Sequence, residues 1–110
     1  MEVNFAHFAA LDIRVGTILA AQFFEKALRP AFQLKIDFGE RGQLQSSAQL
    51  TQRYTAESLI GLQIVAVINF PAKRIAGFRS ECLVLGATNE QGDVVLMHPG
   101  FPVPNGWKLA

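Results

Sequence analysis

One cysteine, Cys82, stands alone in 110 residues, so the chain can form no intramolecular disulfide and no C-x-x-C metal site. The two histidines, His7 and His98, lie far apart, with no acidic or thiol partner at ligand spacing. No metal and no cofactor is therefore expected. Charge is also scarce: 17% of residues are charged and the net charge is +1. A pI near 7.9 excludes a generally polybasic protein, so any nucleic-acid contact has to come from a local patch. No glycine-rich phosphate motif opens a helix, and neither H-E-x-x-H nor G-x-S-x-G occurs. The nine acidic residues are dispersed and form no acid/base pair, so no enzyme is expected. No apolar run approaches the roughly 18 residues of a membrane span. The opening "MEVNFAHFAALDI" lacks the basic and continuous apolar regions of a signal peptide. These absences together predict a soluble cytoplasmic protein.

Apolar residues, by contrast, are plentiful. They make up 50% of the chain, with nine phenylalanines against one tyrosine and one tryptophan. A chain of this length forms one domain, 1–110, with a single core. The surplus of apolar side chains suggests that some cover a subunit interface.

The pattern along the chain is that of short strands. Asn4 can cap a short helix whose apolar stripe is Phe5, Phe8 and Ala9. "DIRVGTILAAQFF" then reads as a strand, with Gly16 expected at a bulge or bend. In "FQLKIDF", Phe32, Leu34, Ile36 and Phe38 alternate with polar residues, which predicts a half-buried strand. "GERG" is a turn and "QLQSSAQL" a more polar strand. Thr55 can cap a helix that Gly61 stops, and "QIVAVIN" reads as a central strand. "CLVLGAT" predicts another buried strand and "DVVLMH" a last one, before a Pro-rich tail that is extended or turning. The expected fold is all-β, a five-stranded OB-type barrel with short N-terminal and mid-chain helices. An SH3-like barrel is the alternative, but it lacks the mid-chain helix.

Three features carry candidate chemistry. The stretch "NFPAKRIAGFRSECLVLG" places Lys73, Arg74 and Arg79 within seven residues, interleaved with Phe70 and Phe78. Cations neutralise phosphates and aromatic rings offer stacking planes, while Gly77 permits a tight turn. Residue types alone leave two readings open: a binding loop, or a solvated loop whose phenylalanines cap the barrel end. In "SSAQLTQRY", Ser46, Ser47 and Gln49 suit base edges and 2′-hydroxyls, and Arg53 with Tyr54 adds a charge and a ring. The same residues also suit an ordinary polar strand. Cys82, among Leu83, Val84 and Leu85, reads as a packing group and not as a nucleophile.

Together "ALDIRVGTI", "RPAFQLKIDFG", "SSAQLTQRY", "NFPAKRIAGFRSECLVLG" and "GDVVLMHPGFPVPNGWK" resemble the CsaA family of stand-alone tRNA-binding-domain proteins. That family is similar to the tRNA-binding module of some methionyl- and phenylalanyl-tRNA synthetases. The resemblance runs from about Phe8 to Lys108 and implies an OB-fold homodimer. The activity it implies is binding of tRNA by shape, or of polypeptide clients as an export-related chaperone. Arg74, Gly77, Ser80 and Glu81 match the family's K/R-x-x-G-x-x-S-E signature, and Ser46–Gln49 match its polar strand. The helix around Phe5 and Phe8, with the segment Pro102–Trp107 including Pro104, matches elements that build the family's dimer.

Three functions follow as expectations. The first is tRNA binding through Lys73, Arg74, Gly77, Arg79, Ser80, Ser46, Ser47, Gln49, Arg53 and Tyr54. The second is the holding of unfolded or presecretory polypeptides by Phe70, Phe78 and Phe101. The third is an assembly module that docks on a synthetase or translation factor.

Overall fold

The alternation in Phe32–Asp37 and the unbroken apolar run in Gln63–Val67 set the sheet order. In the computed structural model, which describes Met1–Ala110, β1 (Ile13–Phe23) pairs antiparallel with β2 (Phe32–Asp37) and β4 (Gln63–Val67). β3 (Gln43–Ala48) adds beyond β2, and β7 (Leu83–Val84) beyond β4, giving the order β3-β2-β1-β4-β7. Two ribbons stand apart from this sheet: β5 (Lys73–Ile75) with β6 (Phe78–Ser80), and β8 (Gly86–Thr88) with β9 (Val94–Leu96). The five-stranded sheet curls into a nearly closed barrel, the expected architecture. No helix is long and apolar enough to cross a membrane.

The barrel interior holds Ile18, Leu34, Ile36, Phe38, Ile64 and Ala66, all but inaccessible to solvent. The helix α2 (Ala56–Leu59) closes one end by inserting Leu59. Thr55 caps it as expected, through a reciprocal box with Ser58: each side chain bonds the other's backbone N–H, at 3.2 and 2.9 Å. β4 is apolar at every position because both its faces are covered. Ile64 and Ala66 face the barrel interior, while Val65 and Val67 join Ile13 and Val15 in a second cluster outside it.

The tail covers that second cluster. Val103 and Leu109 pack on it, and the Trp107 carbonyl accepts from Val15 N–H at 2.9 Å. Gln63 fixes the tail further, exchanging hydrogen bonds of 2.6 and 3.1 Å with the Val103 backbone. At the other terminus Asn4 caps α1 (Phe5–Ala10) by accepting from His7 N–H. None of the six residues of α1 is buried.

Two local expectations are corrected. The bulge in β1 lies between Ile18 and Ala20, not at Gly16. Gly16 serves close packing instead: a Cβ there would stand 2.7 Å from the Ile36 side chain and the Phe38 ring. "CLVLGAT" is also not one buried strand. It breaks into β7 and β8, and only Cys82 is buried, while Leu83 is half exposed.

Replacing Gly16 with alanine should lower stability by about 1–3 kcal/mol, because the immobile Phe38 ring cannot yield. Urea unfolding followed by circular dichroism measures this, and an unchanged midpoint would contradict the packing role.

Candidate functional site

The cation-rich stretch is a β-ribbon and not an irregular loop. Ile75 pairs with Phe78 across a two-residue turn in which Ala76 and Gly77 both have positive φ, +47° and +85°. This is the type I′ geometry that matches strand twist, and Gly77 supplies the conformation without strain. Arg74 and Arg79 are direct cross-strand partners. Two like charges so placed repel, and an anion between or beside them removes the penalty. Ile75 and Phe78 alternate away from this charged face, and Phe78 packs edge-on against Phe24 at 5.4 Å.

The ribbon leans over the β1–β2 connection, residues 24–31. Between them runs a groove of about 400 Å³. Lys73 and Arg74 line one wall, and Lys26 and Arg29 the other. Ser47 and Gln49, at the end of β3, also line it. All four cations are exposed, and none has a carboxylate partner. Leu28 is fully exposed in the same loop. A chain of net charge +1 thus gathers four free positive charges in one place. Their convergence suits a polyanion with phosphates spaced along it.

Lys26 and Arg29 are not among the residues expected from the sequence, which marks them only weakly. Its available signal was "FEKALRP", two cations before a proline at the break between two strands, which only the fold turns toward the ribbon.

Other expected site residues are placed elsewhere. Ser46 is buried, and its hydroxyl donates to the Cys82 carbonyl at 2.8 Å. Ser80 accepts from Ser47 N–H at 3.1 Å, and Glu81 from Gln45 N–H at 3.1 Å. Gln45 adds a bond from its side-chain amide to the Arg79 carbonyl at 2.8 Å. These contacts seal β3 against residues 79–82, so Ser46 and Ser80 hold the barrel closed and do not face the groove. Arg79 is exposed, 3.6 Å from Glu81, and flanks the groove without lining it.

Arg53 is bound to Asp93 at 2.8 Å, and this hydrogen bond, then the Asp93 charge, raises its pKa further. The Tyr54 hydroxyl accepts from Leu96 N–H at 3.0 Å. Both residues tie the α2 approach to the β8–β9 ribbon, and neither lines the basic groove.

A smaller, mostly apolar pocket of about 170 Å³ lies on the other side of Lys73, lined by Phe70, Pro71, Cys82 and Leu83. Phe70 and Phe101 are exposed, whereas Phe78 is half-buried against Phe24. Burial, then the Glu81 charge, pushes the Cys82 thiol up to about 12, against the opposing pull of a hydrogen bond with Ser46. A thiol held protonated is no nucleophile at neutral pH, as its apolar setting suggested.

An antiparallel barrel with a basic groove between its first loop and its late ribbon is the oligonucleotide-binding arrangement. A family model described as "Putative tRNA binding domain" matches residues 13–108. Chaperone CsaA from Bacillus anthracis strain Ames is 57% identical, with all of both chains covered and a TM-score of 0.95. The CsaA chaperone protein from Picrophilus torridus is 44% identical over 99% of this chain and 100% of that one, with a TM-score of 0.91. The methionine–tRNA ligase of Methanothrix thermoacetophila is 38% identical over 94% of this chain. That match spans only 15% of the ligase. The chain belongs to the tRNA-binding-domain family and, within it, to the CsaA group.

Two predictions separate structural from ligand-facing roles. Ser46→Ala leaves the buried Cys82 carbonyl without its donor and should cost about 1–3 kcal/mol of stability. RNA affinity per folded molecule should stay unchanged, as a thermal melt and a binding titration on one sample would show. The Cys82 thiol stays protonated in the folded chain, while in the unfolded chain it ionises above about 9. The unfolded state then binds fewer protons, so stability should fall as pH rises from about 9 towards 12. Rapid reaction of native protein with a thiol reagent at pH 8 would contradict this.

Proposed function

We propose that the chain is a tRNA-binding protein whose groove between residues 24–31 and the β5–β6 ribbon holds the RNA backbone. Lys26, Arg29, Lys73 and Arg74 neutralise phosphates, and Ser47 and Gln49 bond sugar or base edges. One observation carries this reading: four cations from two separate elements meet in one groove with no protein carboxylate to balance them. Family membership supports it. The protein acts as a single domain, 1–110, with no catalysis of its own, in the cytoplasm where tRNA is found.

It works as a homodimer. A six-residue helix is too short to stand alone, yet every residue of α1 is exposed, with Phe5 at 77%. Trp107, Pro102 and Pro104 are exposed on the tail as well. A two-fold interface buries such surfaces and presents two grooves to one RNA. Phe5→Asp with Phe8→Asp should halve the mass found by sedimentation; a wild-type protein already monomeric at micromolar concentration contradicts the dimer.

A second reading is favoured by a separate feature, the apolar pocket beside Phe70. With Phe101 exposed, it suits an apolar side chain of an unfolded polypeptide, and the CsaA relatives are chaperones by name. Suppression of aggregation of a denatured client, unaffected by excess tRNA, tests it; no suppression at stoichiometric protein rejects it.

For the principal reading the measurement is tRNA retention against salt. The slope of log K against log salt should be about −0.7 to −0.9 per phosphate engaged. Arg74→Ala should weaken binding about uniformly across tRNAs and reduce that slope by roughly one per groove. Absence of retention at low salt contradicts the proposal.

A further inference from the structure

The basic groove does not end at the ribbon. At the ribbon's tip it continues past Lys26 and Ala76 into an open depression that contains Phe23, Gly77 and Phe78. That depression runs on, over Gln22 and Gln33, into a crevice of about 180 Å³ under the other side of the ribbon. Three adjoining depressions, each sharing lining residues with the next, thus surround the Ala76–Gly77 turn.

The crevice differs in chemistry from the groove. Its floor is Ala20 and Ala21, and the Phe78 ring lines it. Gln22 Nε2 donates to Gln33 Oε1 at 2.9 Å, which leaves the Gln22 Oε1 acceptor and the Gln33 N–H donors without protein partners. The pair thus offers one free acceptor and free donors, the group types that the Watson–Crick edge of a nucleobase pairs with. Small floor residues leave room for a planar ring system, and the half-buried phenylalanine offers a plane or edge to it. Lys35 also lines the crevice, close enough for an adjoining phosphate. Glu25 is the one carboxylate lining the depression, so the backbone path is best kept on the Lys26 side of it.

We propose that this crevice accepts one unstacked nucleobase from an unpaired segment of the RNA whose backbone lies in the basic groove. The inference rests on the RNA-binding reading above and specifies it: the segment at this site is single-stranded. A duplex keeps its bases stacked inside and cannot send one beneath the ribbon, whereas an unpaired strand can turn around the tip. Gln22 and Gln33 read the base edge with interchangeable amide donors and acceptors, so the site tolerates every base.

The test uses the full chain and a short unstructured oligouridylate, fluorescein-labelled, followed by anisotropy, with a duplex of the same length as competitor. Ala20 is exposed, so Ala20→Phe fills the crevice without touching the core. That variant should weaken oligouridylate binding roughly tenfold and leave the salt slope unchanged. Gln22→Ala should weaken it by a smaller factor. A single 4-thiouridine in the oligomer should crosslink to residues 20–22, 33–35 or 78. Equal competition by the duplex, an unaffected Ala20→Phe variant, or crosslinks confined to other segments each overturn the proposal. Retention of tRNA without binding of the oligomer overturns it and leaves the RNA-binding reading standing. Loss of both removes that reading as well. Displacement of the oligomer by an unfolded polypeptide, with Ala20→Phe blocking the polypeptide, assigns the crevice to a peptide and overturns it too.

Discussion

Everything at the candidate site depends on a seam made mostly of side chains. β3 and residues 79–82 do not form a regular ladder. They are joined by Ser46 to the Cys82 carbonyl, Ser80 to Ser47 N–H, Glu81 to Gln45 N–H, and one backbone bond from Glu81 N–H to the Gln45 carbonyl at 2.8 Å. A pure strand pair would run the ribbon parallel to the barrel wall. Here the chain is pinned at the base of the ribbon, where Lys73 and Arg74 line a groove shared with Lys26 and Arg29 of the loop. Burial of Ser46 and Cys82 makes the seam stiff, because each buried polar group there would lose its partner if the ribbon moved.

This economy explains how a nearly neutral chain can present a polyanion site. Six cations outside the groove are spread over the rest of the surface or matched to carboxylates, as Arg14 is to Asp12 and Arg53 to Asp93. The four in the groove are left unmatched. On the proposed reading, binding is carried by placement and not by composition, which also limits nonspecific attraction to other polyanions.

The barrel was legible in the sequence because its strongest signals are local. The alternation in Phe32–Phe38 and the two-sided apolar run in Gln63–Val67 need no knowledge of partners, and Thr55 announces its helix by chemistry. The site was legible only in part. Lys73 and Arg74 stand out as a cluster, but Lys26 and Arg29 join them only when the β1–β2 loop folds over, a long-range event with no local mark. Ser46 and Ser80 are ambiguous in sequence for the converse reason. A hydroxyl that closes a barrel and a hydroxyl that reads a base look the same until burial is known. Gly16 is equally ambiguous, because a bend and a ring pressed against Cα both demand glycine.

The central claim is that the surface between residues 24–31 and the ribbon, not the Arg53–Tyr54 face, meets RNA. Backbone amide shifts of isotope-labelled protein, recorded by NMR during titration with tRNA, test it most directly. Perturbations should concentrate at residues 26–29, 47, 49 and 73–77, with residues 53, 54 and 93 unmoved. Shifts centred on the Arg53–Asp93 pair, or none at the ribbon, would contradict it.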